Sequence, residues 1–235
     1  MNRFSYAALI LLAGVPASAQ MATSQFETRE EAIEAASAIE IRGAMKVAIV
    51  TGGDAASVRF QGPSDLLADA QARIDNGTLV IGFRDDIPHS WNTGAGVDAL
   101  VTLPAVASIQ TFGPAHVEVI GVSGDDFHAE TNGAGRIKVS GLQVDRVAAV
   151  IGGSGEIELE GQAGSATYAI GGAGSIEAKR LRVANAQIAL GGAGRVYADV
   201  SDQALVSVGG SGKVEIVGGA QCSVSPNGSR NVDCR

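Results

Sequence analysis

Aromatic residues are scarce in this chain: one Trp, three Tyr and six Phe in 235 residues, 4% in all. So few rings leave little to stack on sugars or bases, and the core must be packed by small and β-branched side chains. Histidine is rarer still. His89, His116 and His128 show no metal-ligand spacing, and none stands in a motif with a Ser or Cys nucleophile. Acids outnumber bases, 25 to 17, and the net charge of -8 argues against phosphate backbones and anionic membrane surfaces as partners. No nucleic-acid partner is expected.

Long apolar runs are missing too. The longest, Tyr6 to Val15, is about ten residues against the ~20 of a spanning helix, so no membrane insertion is expected. It follows Arg3 and precedes Ala17-Ser18-Ala19, the pattern of a secretory signal cut after Ala19. No Cys follows that run and no long alternating strands close the chain, so neither a lipid anchor nor a membrane barrel is expected. The expected location is the periplasm or exterior of a Gram-negative-type cell. There the two cysteines, Cys222 and Cys234, pair as a disulfide. A loop that short contributes roughly 2 to 3 kcal/mol and pins a terminus that would otherwise fray. No Cys-x-x-Cys spacing supports a redox role.

Glycine, by contrast, is abundant and regular. Five copies of Gly-small-Gly precede a polar and then a β-branched residue: Gly133-Ala134-Gly135, Gly153-Ser154-Gly155, Gly172-Ala173-Gly174, Gly192-Ala193-Gly194 and Gly210-Ser211-Gly212, spaced 20, 19, 20 and 18 residues apart. A degenerate copy, Gly113-Pro114-Ala115, precedes them. After each corner the chain alternates with period two. Ile137/Val139, Ile157/Leu159, Ile176/Ala178, Val196/Ala198 and Val214/Ile216 take one face, and polar residues such as Arg136/Lys138 and Glu156/Glu158 take the other. A second run of the same phase precedes each Gly-Gly, for example Val147/Ala149/Ile151.

A rung of two short strands and two turns cannot bury its apolar face alone, so rungs must stack at roughly 4.8 Å intervals. The expected fold is all-β: a β-solenoid of about 20-residue rungs, with a smaller β-rich N-terminal part packed on it or continuous with it. The corner glycines are expected to supply positive φ and to leave space beneath the next rung. The outward positions of the second strand, Ala148, Val150, Thr167, Ala169, Gln187, Ala189, Leu205 and Ser207, are small or apolar. They call for a cover, from the N-terminal half or from a second copy of the chain.

The expected organisation is a signal peptide over 1–19, a leader over 20–37 reading as polar chain or short helix, a β-rich half over 38–112, the glycine-repeat solenoid over 113–219 and a disulfide-clipped cap over 220–235. Strands are expected at Ile39–Ile41, Met45–Val50, Ser57–Phe60, Thr78–Phe83 and Ala99–Leu103. A weak helical pattern runs from Ser64 to Asp75 and stops at Asn76-Gly77, and a long loop holds Trp91. The order of a strand pair, Leu66-Leu67, a strand after Gly77, Val101-Thr102-Leu103-Pro104 and the glycine rungs resembles the head GIN domain of autotransporter adhesins, over about residues 39–219. The resemblance implies an exported β-helical domain and carries no catalytic residue. The chain departs from the pattern at Pro114-Ala115 and in the Trp91 loop.

No catalytic, metal or cofactor site is expected. A calcium roll needs Asp where Ile157, Ile176, Val196 and Val214 stand, and no Lys-Ser/Thr follows the corners as in a phosphate loop. The expected function is a non-catalytic, adhesin-like binding or envelope-structural module for a cell-surface protein or glycan. The alternative is a polysaccharide lyase or hydrolase using Glu156, Glu158 and Glu160, whose cross-rung neighbours Arg136 and Lys138 also suit them to simple ion pairing.

Overall fold

The computed structural model describes residues 26–84, 96–225 and 230–235. The signal sequence with its cut after Ala19, His89 and the Trp91 loop fall outside them. The chain forms a β-solenoid of about six turns. Its centre is four long parallel strands, β11 (Arg136–Ile151), β12 (Glu156–Ile170), β13 (Ser175–Leu190) and β14 (Arg195–Val208), each paired with the next. The two short strands read in each repeat therefore run on as one. The ladder bends through register shifts, between Val139 and Leu142 for instance, where Gly141 at φ 72° lets the chain turn without losing its partner. Strict register stacks like on like: Ile137, Ile157, Ile176, Val196 and Val214 form one buried column, and Ile151, Ile170, Leu190 and Val208 another. Tyr168 enters the core opposite Ala149, whose short side chain leaves it room. Burial, with Asp199 nearby, pushes its phenol pKa up, so it stays protonated.

The corner glycines follow a different rule from the one expected. None of Gly133, Gly135, Gly153, Gly155, Gly172, Gly174, Gly192, Gly194, Gly210 or Gly212 has a positive φ. Close approach alone selects them. The rungs keep pairing around the corner, with Ala173 N donating to Gly153 O at 3.0 Å and Ala193 N to Gly172 O at 3.0 Å. A Cβ at Gly172, Gly192 or Gly210 would be driven into the carbonyl of the glycine one rung below, and at Gly194 it would stand 2.5 Å from Gly174 O. Positive φ does make the less regular corners at Gly43 (92°) and Gly113 (101°).

The N-terminal half continues the stack. The pair β2 (Ala38–Arg42) and β3 (Lys46–Thr51) forms one rung, β6 (Thr78–Phe83) and β7 (Asp98–Leu103) a second, and β8 (Ser108–Phe112) and β9 (His116–Ile120) a third. Spatial order departs from chain order here: β2 lies between β6 and β8, and β3 between β7 and β9. Antiparallel strands then finish this end, β4 (Ser57–Pro63) on β7, β1 (Phe26–Ala32) on β4, and β5 (Ala70–Asp75) on β6.

Two expectations are corrected here. The helical pattern from Ser64 to Asp75 yields one turn, α1 (Ser64–Leu67), and then strand β5. Asn76 and Gly77, at φ 49° and 80°, fold β5 onto β6 as a hairpin, and that pairing outweighs local propensity. The Glu-rich stretch ahead of residue 38 is neither free leader nor helix over Phe26–Ala32. Arg29 donates to Leu67 O at 2.7 Å and Ala70 O at 2.5 Å, and its guanidinium lies 5.1 Å from the Phe60 ring centre, which clips β1 to the end of the solenoid.

Because the N-terminal half extends the stack, it does not cover the small-residue face. Thr167, Gln187, Ala189, Leu205 and Ser207 are exposed, and Ala148, Val150 and Ala169 half-buried. At the other end β15 (Lys213–Val217) and β16 (Gln221–Val224) make a rung on β14, and β17 (Val232–Cys234) stacks on β15 beyond it. Cys222 continues the inward column of Ala204 and Cys234 that of Ile216. Their disulfide, with Cα atoms 6.6 Å apart, thus spans the end of the core from one sheet to the other.

The corner geometry gives a paired expectation. Gly192→Ala should lower stability by about 2 to 3 kcal/mol, the range for forcing an atom into a packed site. Gly209→Ala, whose methyl would stand 4.0 Å from Leu190 O, should change it by under about 0.5 kcal/mol. Urea midpoints of the two variants decide it, and equal midpoints would overturn the close-approach argument.

Candidate binding surface

The strands after each corner lie side by side and turn one continuous row of outward positions to solvent, from β1 to β17. Over most of its length this face neutralises itself across rungs. Arg136 pairs with Glu156 at 2.5 Å, Lys138 with Glu158 and Glu160 at 3.8 and 3.9 Å, and Lys179 with Glu215 at 3.0 Å. Arg180 reaches both Glu158 and Glu160, and Lys179 also lies 4.5 Å from the Tyr197 ring centre. The row Glu156, Glu158, Glu160 is therefore held by cations from the rungs on either side. Arg59 and Glu30 repeat the device at the N-terminal end, at 2.9 Å. Each such exposed pair contributes under about 1 kcal/mol, but together they fix register and mask charge.

The surroundings of Ala48 differ. On β3 this methyl stands where long side chains stand on other rungs, and it floors a depression of about 330 Å³ lined by Lys46, Val47, Ala48, Asp98, Ala99, His116 and Glu118. Register places Leu100 directly on one side of Ala48 and Glu118 on the other, with Val50 two residues on and flanked by Thr102 and Ile120. The surroundings of Ala48 are thus polar on one side (Asp98, Lys46, His116, Glu118) and apolar on the other (Leu100, Val50, Ile120). Among the described residues Lys46, Asp98 and Glu118 form no ion pair.

His128 lies elsewhere, on the strand ahead of the corner, in a cluster around Glu130. Asn132 donates to Glu130 at 2.8 Å, Gln110 at 3.0 Å, and His128 Nε2 lies 3.3 Å away. These bonds, that of Asn132 first, hold the Glu130 carboxyl below its usual range. Among the described residues no group of three His, Cys, Asp or Glu is placed to hold a metal ion, and no helix is long and apolar enough to cross a membrane.

The family model described as "Putative auto-transporter adhesin, head GIN domain" matches residues 37–220. The chain belongs to this family. Solved structures share its fold. A "putative adhesin" from Bacteroides fragilis NCTC 9343 is 20% identical with a TM-score of 0.74, the match covering 90% of this chain and 95% of that one. A "putative lipid binding protein" from Parabacteroides distasonis ATCC 8503 is 17% identical with a TM-score of 0.71, over 90% and 95%. A further "putative adhesin" from Parabacteroides merdae ATCC 43184 is 18% identical with a TM-score of 0.61, over 90% and 94%. No curated protein matches the chain. The family suggests an exported, adhesin-like module.

His116 has no metal-ligand spacing or nucleophile motif in the sequence, and no local motif singles out Ala48. The signal was present in the strands themselves: Lys46–Thr51 and Asp98–Leu103 carry apolar residues in both phases, where the glycine rungs put charge outward.

The Glu130 cluster yields a pH expectation. Folding favours the ionised carboxylate, so its contribution is complete above the ordinary glutamate value and is lost as pH falls through the lowered folded value. Asn132→Ala should move the carboxyl titration back toward the ordinary value, read by carbon NMR of the side chain. An unmoved midpoint would show that Asn132 is not the main cause.

Proposed function

We propose that this GIN-domain chain is an exported, non-catalytic, adhesin-like module that uses its long outward strand face to hold an envelope or cell-surface protein or glycan. The observation that carries this reading is the contrast along that face between rungs whose charges pair, Arg136 with Glu156 and Lys138 with Glu158, and the depression at Ala48, where Lys46, Asp98 and Glu118 form no ion pair among the described residues. A rigid ladder presents such a feature with little conformational entropy left to lose on binding. The acidic row Glu156 to Glu160 supports an ion-pair role better than an acid and base, since each carboxylate is engaged by Arg136, Lys138 or Arg180. The mature chain, immobilised, should retain a defined polymer or protein from its own cell envelope and release no unsaturated ends from uronic-acid polysaccharides. Retention of nothing would leave a structural role; lyase activity abolished by Glu158→Gln would establish the carbohydrate-active alternative.

The small-residue face is the proposed contact between copies. On a chain of net charge -8, Ala148 to Ser207 offers four rungs of outward positions without a charge, so copies meet there without the repulsion they meet elsewhere. Because the face is exposed in the single chain, Ala169→Asp with Ala189→Asp should leave the unfolding temperature nearly unchanged while lowering the mass in solution to that of a monomer. A wild-type chain that is monomeric at high micromolar concentration would sink the reading.

A further inference from the structure

Of the six large apolar side chains exposed among the described residues, Phe26, Val50, Leu100, Phe112, Ile120 and Leu205, three lie around a single alanine. Val50 is 40% exposed, Leu100 38% and Ile120 58%, and all three neighbour Ala48 in the ladder. Scattered single hydrophobics are normal on a surface; three clustered beside a depression that Ala48 lines are not. The cavity, about 330 Å³, is at the small end of the range for ligand sites and matches one bulky side chain with room to spare. Its polar lining is Lys46, Asp98, His116 and Glu118. Lys46, Asp98 and Glu118 lack ion pairs among the described residues, whereas farther along the same columns Arg136 pairs with Glu156 and Lys138 with Glu158.

Resting on the binding-module reading above, we propose that the Ala48 depression is the anchor pocket for a protein partner, taking one bulky apolar side chain from a segment that carries basic residues beside it. Interfaces are dominated by a few anchors seated in pockets and ringed by polar contacts that exclude water. Here Val47, Ala48 and Ala99 in the lining, with Leu100 beside Ala48, would hold the anchor, and the polar lining would set its register. Charge chooses the partner's sign: two carboxylates, Asp98 and Glu118, face one ammonium, Lys46, on a chain of net charge -8. A basic segment is therefore drawn in and an acidic one repelled. A lipid tail suits the pocket less well, because seating it would strip water from four polar groups, Asp98, Lys46, His116 and Glu118, without pairing them.

Amide NMR of the mature chain tests this with three probes: acetyl-Lys-Leu-Lys-amide, acetyl-Glu-Leu-Glu-amide and monomeric dodecylphosphocholine. The basic peptide should give saturable shifts confined to Val47, Ala48, Val50, Leu100, His116, Glu118 and Ile120, with at least fivefold weaker binding of the acidic one. Ala48→Trp, an outward substitution that fills the pocket, should weaken the basic peptide at least tenfold while leaving all other resonances in place. Asp98→Asn with Glu118→Gln should weaken it at least threefold. Shifts centred elsewhere, equal binding of both peptides, no binding of either, or preference for dodecylphosphocholine would each overturn the proposal. Failure here is separable from failure of the binding-module reading: if the Ala48→Trp chain retains the same envelope partner as the wild type, the pocket is wrong and the module stands.

Discussion

Rung-on-rung backbone hydrogen bonding is the interaction on which everything else in this molecule depends, because it continues around the corners as well as along the flat sides. Gly153, Gly172 and Gly192 carbonyls each accept from the rung above, so the corners are as tightly stacked as the strands. That closeness leaves no volume for a Cβ at the stacked glycines. It also locks register, since a rung cannot slip at one side without breaking bonds at another. Columns of identical inward residues follow directly, and small and β-branched side chains suffice to fill a core so narrow.

The same register organises the outside. Positions that repeat in sequence become vertical neighbours, so Arg136 meets Glu156 and Lys138 meets Glu158 with no loop to place them. Where the stack order departs from the chain order, at β7, β3 and β9, the pattern lapses. Neighbours there come from distant parts of the chain, and their outward residues form a half-apolar hollow in place of a ladder of charges. At the two ends the solenoid is closed by unlike means. Antiparallel strands held by Arg29 finish one, and the Cys222–Cys234 bond crosses the open core at the other. Both blunt strand edges that would otherwise invite another chain.

How much was legible varied with the range of the interaction responsible. The glycine rungs announce themselves by alternation, and the strands at Ile39–Ile41, Met45–Val50, Ser57–Phe60, Thr78–Phe83 and Ala99–Leu103 by short runs rich in β-branched and apolar residues, both local properties. Ala70–Asp75 misled because its helical spacing is equally local, while the strand it forms is imposed by Thr78–Phe83 across a two-residue turn. Phe26–Ala32 gave no strand signal at all; its partner Ser57–Pro63 lies some thirty residues away and Arg29 completes the fit only after α1 has formed.

By itself the sequence determined the all-β repeat, its rung length, the inward columns, the cross-rung ion pairs and the pairing of Cys222 with Cys234. These are consequences of period-two alternation and of repeats near 20 residues, which any stacking in register must honour. Only the tertiary structure decided that the corner glycines answer to contact rather than to φ, that the N-terminal half lengthens the stack and leaves the small-residue face bare, and that Ala48 lies between Leu100 and Glu118. Each of these turns on which distant strand lies alongside which, and a pattern read along one chain carries no record of its neighbours across the ladder.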